Sequence, residues 1–234
     1  MPLAFTTPAS AIRAMVTMND VSSSNVANVS TVGFMRSRVN LVDVRGGGVS
    51  IGSVSRDFSP GPFLLSGRAL DLAPTGQTFF ALRGPNGRTQ YTRDGAFRLD
   101  AGGTLTAADG TPVAGGIVVP PDSEGVEITS DGSVLSRVAG AVKLLGRIDL
   151  VQFSNADGLR AVGDNRFEAT DASGPARPYL EGPPPVIPGE LVGANTDLAA
   201  RVVEAIASTM GIRVNVVVIN VLDDLMGNLV SMKR

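Results

Sequence analysis

The sequence predicts an α+β fold: a mainly-β central domain inserted between an N-terminal and a C-terminal helix. Three observations predict it. Residues 1–34 contain no glycine before Gly33. Asp-Gly pairs and short apolar runs alternate through residues 35–188. From residue 190 onward, apolar side chains return to a 4-3 spacing that lasts several heptads. The chain has 234 residues, enough for one large domain or two small ones with a real core.

At the N-terminal end, Ile12, Met15, Val26 and Val29 fall on a 3–4 spacing that Asn19 and Ser22 interrupt. The pattern predicts a helix from about Pro8, a residue favoured in the first helical turn, to about Asn28. Alone in water such a helix is marginal, because short helices nucleate poorly.

In the centre, Asp-Gly at 94–95, 109–110, 131–132 and 157–158 marks turns, since glycine accepts positive φ without steric cost. Between the turns lie strand-like stretches at 78–83, 89–91, 96–99, 116–119, 126–128, 133–138 and 146–153. The run Pro-Pro-Pro-Val-Ile-Pro at 183–188 reads as an extended linker.

At the C-terminal end, Leu198, Val202, Ala205, Thr209, Ile212, Val216, Ile219, Asp223, Met226 and Val230 keep the heptad spacing of a coiled-coil seam. Asn195 or Thr196 is placed to cap its start. Propensity conflicts locally: six of the eight residues 214–221 are β-branched. Length and periodicity favour helix. Gly211 inside it costs about 1 kcal/mol relative to alanine. Neither terminal helix buries its apolar stripe alone, so each must pack on the other or on neighbouring copies.

Composition narrows the chemistry. There is no cysteine and no histidine, hence no disulfide, no thiolate or imidazole ligand and no histidine base. The net charge is −2, without the basic excess of a nucleic-acid binder. No run of 18 apolar residues predicts a membrane span, and no basic stretch followed by an apolar one predicts a cleaved signal peptide. Asp94, Asp131, Asp149, Asp157 and Asp164 are the candidates for carboxylate chemistry, but each sits in an apparent turn or strand end. Gly46-Gly47-Gly48 lacks the Lys-Ser/Thr of a phosphate loop and reads as a flexible connector. Ser22-Ser23-Ser24 has no histidine to activate it, and only Lys143 and Lys233 could serve instead. Arg36 and Arg38 read as a solvated or interfacial pair. No catalytic, cofactor or metal site is expected.

Specific blocks then carry a resemblance. Ser24-Asn25-Val26-Ala27-Asn28-Val29-Ser30-Thr31-Val32-Gly33-Phe34 resembles the end of the first helix in bacterial flagellar rod and hook proteins. Ala69-Leu70-Asp71, Gly76-Gln77-Thr78-Phe79-Phe80 and Tyr91-Thr92-Arg93-Asp94-Gly95-Ala96-Phe97 follow in that family's order. Further matches run through Phe153-Ser154-Asn155, Gly163-Asp164-Asn165 and Asn195 to Val202, Ile206, Asn215 and Ile219. Two departures stand out: Met210 to Val214 replaces a Gln-Arg-containing block, and Pro60-Gly61 replaces Gln-Gly.

The resemblance implies an axial structural subunit whose terminal helices pair as a coiled coil. It implies an N-terminal helix over 1–34, an extended connector over 35–70, a β-rich domain over 71–188 and a C-terminal helix over 189–234. The expected assembly interface is Asn25, Ala27, Asn28, Thr31, Gly33, Phe34, Asn195, Val202, Ile206, Asn215 and Ile219. The expected β-domain signature is Tyr91, Thr92, Arg93, Asp94, Gly95 and Phe97, read as core, with Arg93 and Asp94 pairing or setting the turn. The implied partners are copies of the chain, other rod and hook proteins, the flagellar type III export apparatus and the basal-body rings, in the periplasm and with neither nucleic acid nor membrane insertion. Size and the short connector point to a proximal-rod member first, a distal-rod member next, then a hook or hook-like subunit. A secreted β-rich binding module is the reading from another class.

Overall fold

The structure, a computed structural model, describes residues 2–179 and 185–232. Pro183 and Pro184 of the expected linker, and Lys233, lie outside the described residues. The chain divides into two compact units. One comprises Met1–Val29, Arg36–Asp57 and Thr196–Arg234; the other comprises Ser30–Met35 and Phe58–Asn195.

The first unit is helical with one hairpin. Helix α1 spans Pro2–Ala27, with Pro8 inside it rather than at its start. The hairpin strands are β1 (Ser37–Asp43) and β2 (Val49–Arg56), and α2 spans Leu198–Ser231. The two helices pair, as a fold with two marginal helices requires. They run antiparallel: Ser22 Oγ donates to the Arg201 carbonyl at 3.1 Å, and Ser208 Oγ to the Met15 carbonyl at 2.7 Å. Asp197, not Asn195 or Thr196, caps α2, accepting from the Ala200 N–H at 3.2 Å. The β-branched run stays helical. By length and composition α2 also meets the requirement for crossing a membrane, with a window of mean hydropathy 1.7. The expectation drawn from uninterrupted apolar runs missed this, because Arg213 and two asparagines break the run without removing its average.

Where an extended connector was expected over 35–70, β1 and β2 pair antiparallel and pack on α1. Gly46, Gly47 and Gly48 all hold φ above +100°, which turns the tip back toward the helix. There the Val49 N–H donates to Ser10 Oγ at 3.1 Å. The glycine run is a formed turn with a fixed seat.

The second unit is all β. Its largest sheet has six strands in the order Arg160–Gly163, Arg166–Glu168, Thr89–Thr92, Phe79–Arg83, Leu150–Gln152, Arg177–Pro178. Strand alternation sends Phe79 and Phe80 to opposite faces. Phe80 joins a core with Leu72, Phe97, Leu105 and Ile148; Phe79 joins another with Met35, Phe58, Phe153 and Phe167. Three strand expectations are corrected. Residues 116–119 form no strand, only a bridge from Val118 to Thr104. Residues 146–153 split between Ala141–Arg147 and Leu150–Gln152, because Ile148 turns into the core between them. Val186–Pro188 is not linker: it pairs with Leu72–Pro74, and Val186 is buried.

A separate three-stranded sheet holds Ser123–Ile128, Ser133–Val138 and Ala141–Arg147. Its two-residue turn puts Ala139 at φ +50° and Gly140 at φ +78°. Both central residues of such a turn need positive φ, which alanine adopts at a cost. Ala139→Gly is expected to raise stability by about 0.5–1 kcal/mol in a denaturant melt.

Candidate functional site

The contact line between the helices is made of small and polar groups. On α2 it runs through Arg201, Ser208, Gly211 and Asn215. A Cβ on Gly211 would lie 2.6 Å from the Met15 sulfur, so the glycine leaves room for the end of the Met15 side chain. Asn215 Nδ2 donates to the Gly211 carbonyl at 2.8 Å and rests against the Met15 sulfur. Ile219 lies half-buried further along α2.

The expected heptad seam is therefore rotated. Ala205, Ile212, Ile219 and Met226 are partly covered, but Leu198, Val202, Val216 and Val230 are exposed. Val203, Ile206, Met210, Val214, Val217 and Val221 are exposed beside them. The more apolar side of α2 faces away from α1. Contiguous apolar surface of this extent marks an interaction surface.

Part of this surface is concave. A groove of about 620 Å³ lies between the end of α1 and the start of α2. Val26, Ala27, Val202, Ile206 and Met210 line it, and Arg201 and Arg213 stand in its wall. Val202 is 46% exposed and Ile206 51%. Arg201 is tied to Glu204, whereas Arg213 makes no ion pair among the described residues.

The remaining interface candidates are occupied within the chain. Asn25 is fully buried: its Nδ2 donates to the Ser37 carbonyl and its Oδ1 accepts from the Ser37 N–H, each at 2.8 Å. That two-pronged bond fixes the start of β1 to the end of α1. Asn28 Nδ2 donates to the Ser24 carbonyl at 2.9 Å, which also accepts from the Asn28 backbone N–H at 3.2 Å. Arg36 is no anion site, because it pairs with Asp57 at 2.6 Å.

In the β unit, Phe34 is buried and Thr31 half-buried. Gly33 has φ +68° and donates to the Val192 carbonyl at 2.7 Å. Asn195 N–H donates to the Phe34 carbonyl, and its Nδ2 to the Ser59 carbonyl at 2.9 Å. These contacts tie together the segments at which the chain enters and leaves the unit.

The signature block is core. Tyr91 packs edge-on against Phe153, and Phe97 against Phe80. Thr92 Oγ donates to the Asn165 carbonyl and accepts from the Asp94 N–H, both at 3.0 Å. Arg93 and Asp94 do not pair. Arg93 is fully buried, donates to the Gly76 carbonyl at 2.8 Å and lies over the Phe79 ring. Burial pulls its guanidinium down to about 10. Asp94 accepts from the Ala96 N–H at 2.9 Å; burial pushes its carboxyl up, partly offset by that bond. A Cβ on Gly95 would sit 1.9 Å from the Leu72 carbonyl, so no other residue fits.

The other carboxylates are structural or exposed. Asp131 accepts from the hydroxyls of Thr129 and Ser133, which hold it down at about 2. Asp149, Asp157 and Asp164 are exposed in separate turns or strand ends. Sequence reasoning named Ala27, Val202 and Ile206 of the groove lining as interface candidates and missed Val26 and Met210 beside them. The further apolar row, Val203, Val214 and Val217, is exposed outside the groove.

Comparison with known proteins places these features. Residues 73–136 match the family described as flagellar hook protein FlgE/F/G D1 domain. The flagellar basal-body rod protein FlgG of Bacillus subtilis (strain 168) is 34% identical over 246 residues, covering 92% of this chain and 93% of that one. FlgG of Buchnera aphidicola subsp. Schizaphis graminum is 31% identical with the same coverage. The flagellar basal-body rod protein FlgF of Escherichia coli (strain K12) is 31% identical, covering 87% of each chain.

Proposed function

The chain belongs to the flagellar basal-body rod protein family, which is structural and not enzymatic, and on that footing we propose that it polymerises through α1 and α2 into the shaft that carries torque. The observation that carries this reading is the apolar face of α2 turned away from α1. A face of that kind needs a cover, and neighbouring subunits supply one. Lipid is the poorer cover. Arg213 sits near the middle of α2 and costs about 2.5–3.5 kcal/mol at the centre of a membrane. Other rod and hook proteins are its neighbours, the type III export apparatus its route to the periplasm, and the basal-body rings the surroundings of its β unit.

Along the rod, identity favours the FlgG position over the FlgF one, 34% over 92% of the chain against 31% over 87%. This reverses the order in which the connector ranked the distal and proximal rod; the connector is a formed hairpin and not a short link. The test is electron microscopy of basal bodies from a strain lacking this gene. A missing or truncated rod and loss of motility are expected. A full rod without a hook would instead make the chain a hook subunit. Intact basal bodies with normal motility would contradict the assignment.

A further inference from the structure

The three-stranded sheet of the β unit has two free edges of opposite charge. Its strands lie in the order Ala141–Arg147, Ser133–Val138, Ser123–Ile128, and among the described residues no further strand pairs with either outer one. Residues 115–131 hold Asp122, Glu124, Glu127 and Asp131 and no base; residues 132–148 hold Arg137, Lys143 and Arg147 and no acid. Glu124, Glu127 and Lys143 are exposed and make no ion pair among the described residues. Arg147 is held by the Asp131 carbonyl at 2.9 Å, which leaves Lys143 as the cation of its edge free to reach a partner. Ile117 lies against Gly146, so the open part of that strand is Ala141 to Leu144, all four exposed. The outer face adds shape. Pairing sets Glu127, Leu135 and Leu144 in one row and Gly125, Arg137 and Val142 in the next. Val142 is 62% exposed and Leu144 60%. A Cβ on Gly125 would meet nothing within 4 Å, so the acidic edge has open space where an apolar side chain can lie.

Resting on the polymerisation reading, we propose that the β units of neighbouring copies join here, the Ser123–Ile128 strand of one copy lying along the Ala141–Arg147 strand of the next. Unpaired strand edges are templates for added strands, and an edge lysine opposes pairing with its like. Two copies of the Lys143 edge would set ammonium against ammonium, and two acidic edges carboxylate against carboxylate. Only the unlike edges attract. Both outer strands run antiparallel to the middle one and so run the same way, which makes the join a parallel pair. In the register that sets Glu124 and Glu127 on either side of Lys143, Glu127 lies beside Leu144. A contact between unlike edges does not close in a dimer and repeats from copy to copy. It uses no residue of α1 or α2.

The chain has no cysteine, so two introduced ones report on this contact alone. A chain carrying Glu127→Cys and Leu144→Cys is treated, in purified basal bodies, with a bismaleimide spanning about 7 Å, or two residues along a strand. A ladder of oligomers is expected, and each single variant should stay monomeric. Dimers from Leu144→Cys alone, or no ladder from intact rods that contain the chain, would overturn the proposal while leaving polymerisation standing. Absence of the unaltered chain from basal bodies would overturn both. Charge reversal gives an independent reading. Lys143→Glu should lower the number of rods by about fivefold, the size of one exposed charge pair lost. Glu124→Lys with Glu127→Lys in the same chain should restore them. Failure of that rescue in chains that melt like the parent would also overturn the proposal.

Discussion

Val202→Asp combined with Ile206→Asp is expected to leave the isolated chain folded and to abolish its incorporation into basal bodies. Both side chains are about half exposed in the subunit. Exposed positions of this kind move stability by about 0.5 kcal/mol or less, so the melting temperature should hardly change. In an assembled rod the same positions lose water. Each carboxylate buried there without a partner costs several kcal/mol, and two per subunit recur at every repeat of the shaft. Motility plates and electron micrographs read the assembly; circular dichroism reads the fold. Normal swimming with an unchanged melt would mean that this face stays wet in the rod.

Gly33→Ala is expected to destabilise the β unit by about 3 kcal/mol or more, a size reserved for substitutions with a named steric cause. Two effects add. A φ of +68° costs alanine about 1–2 kcal/mol. The new Cβ would also stand 2.6 Å from the Asp94 nitrogen and 2.8 Å from its Cα, and both are backbone atoms that do not swing aside. Gly67→Ala separates the two. Gly67 has φ +69° with nothing near its Cβ position, so it carries the conformational cost alone. Denaturant melts of both variants should show the Gly33 change as clearly the larger. Equal losses would mean that the approach of Gly33 to the Arg93–Asp94 turn contributes nothing.

The helix–β–helix order was legible because each texture has its own physical cause. Glycine-free periodic segments make helices, and Asp-Gly turns make hairpins. The signature block was legible as core, since Phe79, Phe80, Tyr91 and Phe97 lie in or beside strand-like stretches between turns, and all four rings make edge-on contacts with other rings. The hairpin over Ser37–Arg56 was not legible. Its strands are largely exposed, so they lack the strong alternation that burial imposes, and three successive glycines look the same in a loose link as in a tight turn.

The α2 seam was half legible. Heptad counting finds the most apolar row, and it assumes that this row faces the partner helix. Here Ser208 and Gly211 face it instead: Ser208 bonds the Met15 carbonyl and Gly211 leaves room for the Met15 side chain. Asn25 misled for a related reason. An amide near a helix seam suggests a contact between subunits, but this one is spent on the Ser37 backbone. Nothing local in the sequence distinguishes the two uses.

The most direct measurement concerns the outer face of α2. A Val217→Cys variant, in a chain otherwise without cysteine, places a thiol at a position 59% exposed in the subunit. A maleimide reagent should label the isolated chain readily and label purified basal bodies hardly at all. Equal labelling of both would contradict the claim that this face is where subunits meet.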